Sequence, residues 1–175
     1  HGINDLRIFY KKNKKKIDVY CDKSTKKYLL KNFNYCFKGT HSYPAILKIN
    51  HLKSNIYIKD KNLKLRIKSI KVKHGKIKCN AFIINKKCAY LSDVSYIYEK
   101  DQKYFKNLKY FIIDCLRFSK HPSHYNLDQV LELIKILKPK KTILTNMSAE
   151  LDYNKLKKIL PKSTFPAYDG MSFNL

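Results

Sequence analysis

Apolar and polar positions alternate along much of the chain before residue 100, and the rhythm changes after it. IDVYC, residues 17–21, is short and β-rich, and KSTKKYLLKNF, residues 23–33, then reads as a helix with Asp22 or Ser24 near its cap. From 44 to 91 the pattern is β. NIYIKD forms a clear strand, LKLRIKSIKV alternates apolar with basic residues, and IKCNAFIIN and CAYLSD follow. Lys alternating with Ile or Leu gives such strands one wet face and one core face. Later, YFIIDCL (110–116) and TILTN (142–146) are nearly continuous apolar runs, as strands covered on both faces should be.

Between those two runs the period becomes helical. Asn126 can cap a helix, Gln129 stands where a capping-box side chain reaches back, and Tyr125 and Val130 occupy the staple positions. Val130, Leu133, Ile134 and Leu137 then form the stripe of an amphipathic helix. DYNKLKKIL (152–160) predicts another helix, and the tail MSFNL a last short strand. Strand–helix–strand–helix with continuous apolar strands is α/β logic. No repeat, low-complexity tract or interdomain linker interrupts it, so residues 1–175 are expected to form a single α/β domain.

Composition narrows the class. No apolar run approaches the roughly 20 residues a membrane span needs, and residues 1–20 lack the continuous apolar core of a signal peptide. The five cysteines are odd in number and include no CxxC pair, which argues against a zinc ribbon or disulfide framework and for a reducing cytoplasm. The formal charge of +25 ordinarily suggests nucleic acid. Yet Lys outnumbers Arg 35 to 3, and Ile (19), Asn (14) and Tyr (14) are abundant as well. These residue types share A/T-rich codons, whereas selection for phosphate contacts should retain more of the bidentate guanidinium. Much of the charge therefore reads as mutational background.

Candidate chemistry gathers at strand ends. Asp93 ends CAYLSD, Asp114 lies in YFIID with His121 and His124 after it, Asn146 ends TILTN, and His74 sits at VKHGKI between two β segments. Ligands in α/β layers collect where strands give way to loops at their carboxyl ends. Each residue also has a plain structural reading. His74-Gly75 is a hairpin signal, Asp93 a turn residue, His121 a solvated loop residue, and His124 a possible cap. Asp114 is the hardest to explain away, because a buried carboxylate demands partners.

In order along the chain, HGINDLR, VYCDKSTKKYLLKNFNYCF, KHG, AYLSDVSYI, FIIDCLRF, HPSHYNLDQ, TILTNMSAELDY and PAYDGM together resemble metallo-β-lactamase-fold hydrolases. The branch resembled is the phosphoribosyl cyclic phosphate phosphodiesterases and their uncharacterised bacterial relatives. The resemblance implies an αββα sandwich with two divalent metal ions, zinc or manganese, between two sheets. It implies that His74 is a metal ligand and that Asp93 bridges both ions. It also implies that His124, outside the ligand set, assists catalysis beside the scissile phosphate. His121, Asp114, Arg117 and Arg7 would orient or support these groups. The chemistry suits the set: imidazole and carboxylate are ordinary ligands for such ions, which activate water and polarise phosphoryl oxygens.

Two departures qualify that expectation. The family's HxHxDH motif precedes a segment like HGINDLR, and this chain opens on His1. The segment expected to read THMSH reads TNMSA, so Asn146 stands in place of a histidine ligand and Ala149 in place of the following one. An amide oxygen is a weak donor to zinc and a methyl group is none. The expectation is therefore the C-terminal part of a metallo-β-lactamase sandwich with N-terminal sheet strands missing, marginally stable alone, with weak or absent metal binding and no activity as written. Two alternatives stand beside it. One is an active enzyme on a small phosphodiester when complemented by an N-terminal fragment carrying HxHxDH. The other is a basic, non-enzymatic protein that keeps the fold and binds RNA or another polyanion.

Overall fold

The computed structural model describes residues 2–60 and 63–175. Two compact units divide the chain, residues 1–53 and residues 54–175.

In the first unit a 3-10 turn, Gly2–Leu6, runs into helix α1, Arg7–Asn13. Strand β1, Ile17–Cys21, pairs in parallel with β2, Leu47–His51. Between them lie helices α2, Lys23–Asn32, and α3, Asn34–Phe37. The Asp22 carboxylate caps α2 by accepting from the Thr25 amide at 2.9 Å, which settles the choice between Asp22 and Ser24. Cys36, Ile46 and Leu47 form a small core against which Leu6, Tyr10, Val19 and Phe33 pack. The Arg7 guanidinium lies over the Tyr43 ring, 4.6 Å from its centroid.

The second unit is built on a seven-stranded sheet. Its strands are β3 (Asn55–Asp60), β4 (Leu63–His74), β5 (Ile77–Ile84), β6 (Cys88–Leu91), β7 (Tyr110–Asp114), β8 (Lys141–Thr145) and β9 (Thr164–Pro166), in sequential order across the sheet. Pairs from β3 to β6 are antiparallel, and pairs from β6 to β9 are parallel. The parity has one consequence that matters below. Strand β4 is two antiparallel steps from β6, so β4, β6, β7 and β8 all run the same way. Their carboxyl ends meet on one edge of the sheet.

Helices α4 (Glu99–Gln102), α5 (Leu127–Leu137) and α6 (Tyr153–Ile159) complete the unit. The reciprocal box at the start of α5 is present: Asn126 Oδ1 accepts from the Gln129 amide at 3.0 Å, and Gln129 Oε1 accepts from the Asn126 amide at 3.1 Å. Asn126 Nδ2 also donates to the Phe118 carbonyl, tying the cap to the preceding loop. Val130, Leu133 and Leu137 are buried with the alternate residues Ile70 and Val72 of β4 and Ala81 and Ile83 of β5. The lysines between them, Lys71 and Lys73, face water.

The tail departs from expectation. MSFNL forms no strand; β9, farther back at Thr164–Pro166, is the last one. Met171 and Phe173 instead lay alternate side chains on the apolar cluster of Cys88, Tyr110 and Ile143 on the other face, with the Phe173 and Tyr110 rings 4.3 Å apart. A period of two arises here from side-chain docking without a ladder. Strand β9 escapes pattern reading because it is three residues long and ends on a proline that only a sheet edge tolerates.

No disulfide joins any of the five cysteines among the described residues. Burial pushes Cys88 up to about 11 and Tyr125 up to about 12, and burial together with the Asp114 charge pushes Cys115 up to about 12. Unfolded, a thiol ionises near ~8.5 and a phenol near ~10. Above those values the folded chain holds protons that the unfolded chain has released, so unfolding free energy falls as pH rises. Urea midpoints are expected to drop steadily from about pH 9 to about pH 11, with a shallower slope in Cys115→Ala. A flat midpoint across that window would contradict the buried, protonated state of these groups.

Candidate metal centre

The shared edge brings the predicted residues together. His74 is the last residue of β4, Asp93 follows β6, Asp114 ends β7, and Asn146 follows β8. Loops hold the edge in place. The Ser95 amide and hydroxyl both donate to the Lys73 carbonyl, and the Gly75 amide donates to Ser95 Oγ at 3.1 Å. The Tyr125 amide donates to the Val94 carbonyl, while its hydroxyl accepts from the Ile97 amide, both at 3.0 Å. The loop of residues 121–124 is thereby pressed against the β4 turn. Gly75, at φ +60°, leaves no room for more: a Cβ there would stand 2.9 Å from Ser123 Cβ.

His74, Asp93 and His124 each turn one ligating atom into a cluster in which all three atoms lie within 4.8 Å of one another. Their tautomers follow from their partners. His74 Nδ1 lies 2.7 Å from the Ser123 carbonyl, which can only accept, so Nδ1 carries the proton and Nε2 is left free. His124 Nδ1 lies 2.5 Å from Asp114 Oδ2 and donates to it, again leaving Nε2. The two rings meet edge to face with centroids 4.6 Å apart. Asp93 is exposed, accepting from Ser92 Oγ at 3.3 Å.

Asp114 is fully buried. Burial raises its pKa, and hydrogen bonds from the Val94 amide, His124 and Asn146 pull it back down. Asn146 Nδ2 donates to Asp114 Oδ1 at 3.3 Å and to the Ser92 carbonyl at 3.2 Å. Turning the amide over would set its oxygen against two acceptors, so these contacts fix its orientation and its nitrogen is occupied. Its backbone sits at φ +60°, a region where Asn and His are both tolerated. Ala149 is exposed and offers no donor.

The remaining candidates hold the loop. His121 stacks near His124, 5.0 Å between centroids, and faces the amide and hydroxyl of Ser123 through Nδ1. Partial burial, then the charges of Arg117, His124 and His74, lowers its pKa. Arg117 donates from Nη2 to the Lys120 carbonyl at 2.8 Å and from Nε to the Ser119 carbonyl at 3.3 Å, shaping the turn before His121. Arg7 belongs to the first unit and is described there. Ser123 and Ser92, whose carbonyls orient His74 and Asn146, carried no sequence signal; backbone acceptors are not encoded by residue type.

Residues 1–147 match the family model described as the β-lactamase superfamily domain. The chain belongs to that family. Among solved structures it is similar to a diphosphatase from the PhnP family, with 24% identity and a TM-score of 0.77 over 89% of this chain and 57% of that one. It is also similar to zinc-bound PqqB from Methylobacterium extorquens, with 10% identity and a TM-score of 0.68 over 91% of this chain and 65% of that one. These likenesses show the fold. An octanoyltransferase of Porphyromonas gingivalis is 25% identical over 175 residues, 97% of this chain and 34% of that protein. The chain thus spans about a third of that relative's length. No helix among the described residues is long and apolar enough to cross a membrane.

The donor chemistry fits a divalent cation of this family. Ligands about 2.1 Å from one tetrahedral ion stand about 3.4 Å apart, so the present cluster needs only side-chain adjustment to close on one. A second ion has no such set: this is the single group of three or more ligating side chains within reach of one another among the described residues.

Asp114 is expected to organise the edge. In Asp114→Asn an amide group replaces an acceptor for three converging donors, so at least one of them is opposed. A loss of about 2–4 kcal/mol in urea unfolding is expected from that unmet buried group, and in Asp114→Ala, which removes both acceptor oxygens, loss of the hydrogen-bonded His124 Nδ1 proton signal by NMR. Unchanged stability and an unchanged imidazole signal would show that Asp114 does not hold His124.

Proposed function

We propose that this chain carries part of a metal-dependent hydrolase site for phosphodiesters of the cyclic-phosphate type, reduced to one cation position and to little or no activity by Asn146 and Ala149. The convergence of His74, Asp93 and His124 within 4.8 Å carries this reading. Family membership and the likeness to a PhnP-family diphosphatase support it.

A zinc or manganese ion there would activate water and polarise a phosphoryl oxygen. The residues themselves impose a choice on His124. Asp114 occupies its Nδ1, so Nε2 is the one atom through which it can act. That nitrogen can bind a cation or pass a proton to a leaving oxygen, and cannot do both at once. With a histidine at 146, His124 would be free for proton transfer. With Asn146 there, whose nitrogen is spent on Ser92 and Asp114, His124 is drawn into the ligand set as the third donor. His74 and Asp93 keep their roles in either case. Hydrolysis then lacks its proton donor, so the site would hold a metal ion without turning over substrate.

The test is metal stoichiometry, read by elemental analysis after loading with zinc or manganese and dialysis. One ion per chain is expected, with affinity falling tenfold or more in His124→Ala and in Asp93→Ala. Asn146→His should leave the stoichiometry at one and make affinity insensitive to a further His124→Ala change, because the imidazole at 146 then supplies the third ligand. Two tightly held ions in the unaltered chain, or affinity indifferent to His124, would overturn the reading.

A further inference from the structure

A second concavity lies on the same face of β4, at the other end of the strand. Lys68 and His74 share that face, six residues or about 20 Å apart. The cavity, of ≈ 450 Å³, is walled by Arg66 and Lys68 of β4, Lys86 of the β5–β6 turn, and Lys103 and Lys106 of the loop after α4. Ile83 and Leu108 add apolar lining, and no lining residue is acidic.

Lysine is common everywhere in this chain, so charge alone means little. Three features set this cavity apart. The five cations come from three separate segments and enclose one space, where their mutual repulsion is unrelieved by any lining carboxylate. The Tyr104 ring holds two of them, with Lys68 Nζ 4.2 Å and Lys103 Nζ 5.3 Å from its centroid, so both ammonium groups are positioned in advance. Arg66, one of three arginines in the chain, brings a planar fork suited to phosphate oxygens.

A ligand rich in acceptor oxygens meets all five cations at once.

We propose that this cavity binds the phosphate groups of a nucleotide-sized or larger polyphosphate ligand, at a site separate from the His74–Asp93–His124 cluster. Its volume falls in the range of small-molecule sites. Free polyphosphate and the backbone of single-stranded RNA present the same chemistry, and the test separates them.

Binding of inorganic tripolyphosphate and of a single-stranded oligouridylate is measured by calorimetry on the full chain at about 150 mM salt, near-physiological screening, with EDTA present so that the cation site contributes nothing. The Arg66→Gln/Lys103→Gln pair is compared with the Lys155→Gln/Lys158→Gln pair, which removes equal charge from exposed positions on α6. At least a tenfold loss is expected for the first pair and less than twofold for the second. NMR shift changes in the unaltered chain should centre on Asn55, Lys86 and residues 103–106. Oligouridylate binding much more tightly than tripolyphosphate would assign the site to RNA; equal or weaker binding assigns it to a free polyphosphate. Equal losses in the two variant pairs, or no binding of either probe, would overturn the proposal.

Discussion

A carboxylate buried at the end of a central strand is the constraint on which the candidate site rests. Asp114 has no access to water, and an isolated charge there would be prohibitively costly. It is tolerated because three donors reach it from three different loops: the Val94 amide after β6, the His124 imidazole before α5, and the Asn146 amide after β8. One charge therefore registers three strand ends against one another. It also leaves Nε2 as the nitrogen of His124 that can take a ligand, since the nitrogen bound to the carboxylate is unavailable.

The sheet's directions supply the other half of the site. Two antiparallel steps bring β4 back into line with the parallel block of β6, β7 and β8, so a histidine from a hairpin-like turn and carboxylates from crossover loops share an edge. Ligand sites at carboxyl strand ends are the rule in such sheets. Here Gly75 makes the close approach possible. Without a Cβ it lets Ser123 pack against the turn, and the Ser123 carbonyl in turn orients His74.

Much of the architecture was legible along the chain. The α5 capping box, its apolar stripe, the strands β3 to β8 and the wet and dry faces of β4 follow from local chemistry whose period survives in the structure. The candidate residues His74, Asp93 and His124 were legible too, through strand-end position and family resemblance. The tail was misread because docking of Met171 and Phe173 imitates a strand's period. The helix α1 and the three-residue β9 left no pattern long enough to register. Asn146 was visible as a substitution, yet its role as a donor to Ser92 and Asp114 was not.

By itself the sequence determined what depends on neighbours within a few residues: caps, stripes, alternation and the chemical types present at strand ends. Only the tertiary structure decided which of those types converge, which histidine nitrogen remains free, and that five of many lysine and arginine side chains enclose a single cavity. The physical reason is range. Backbone propensity and periodicity act over one or two turns, whereas a ligand set or an anion cavity is made by side chains from segments tens of residues apart, whose meeting is fixed by strand order, strand direction and the burial of one charge.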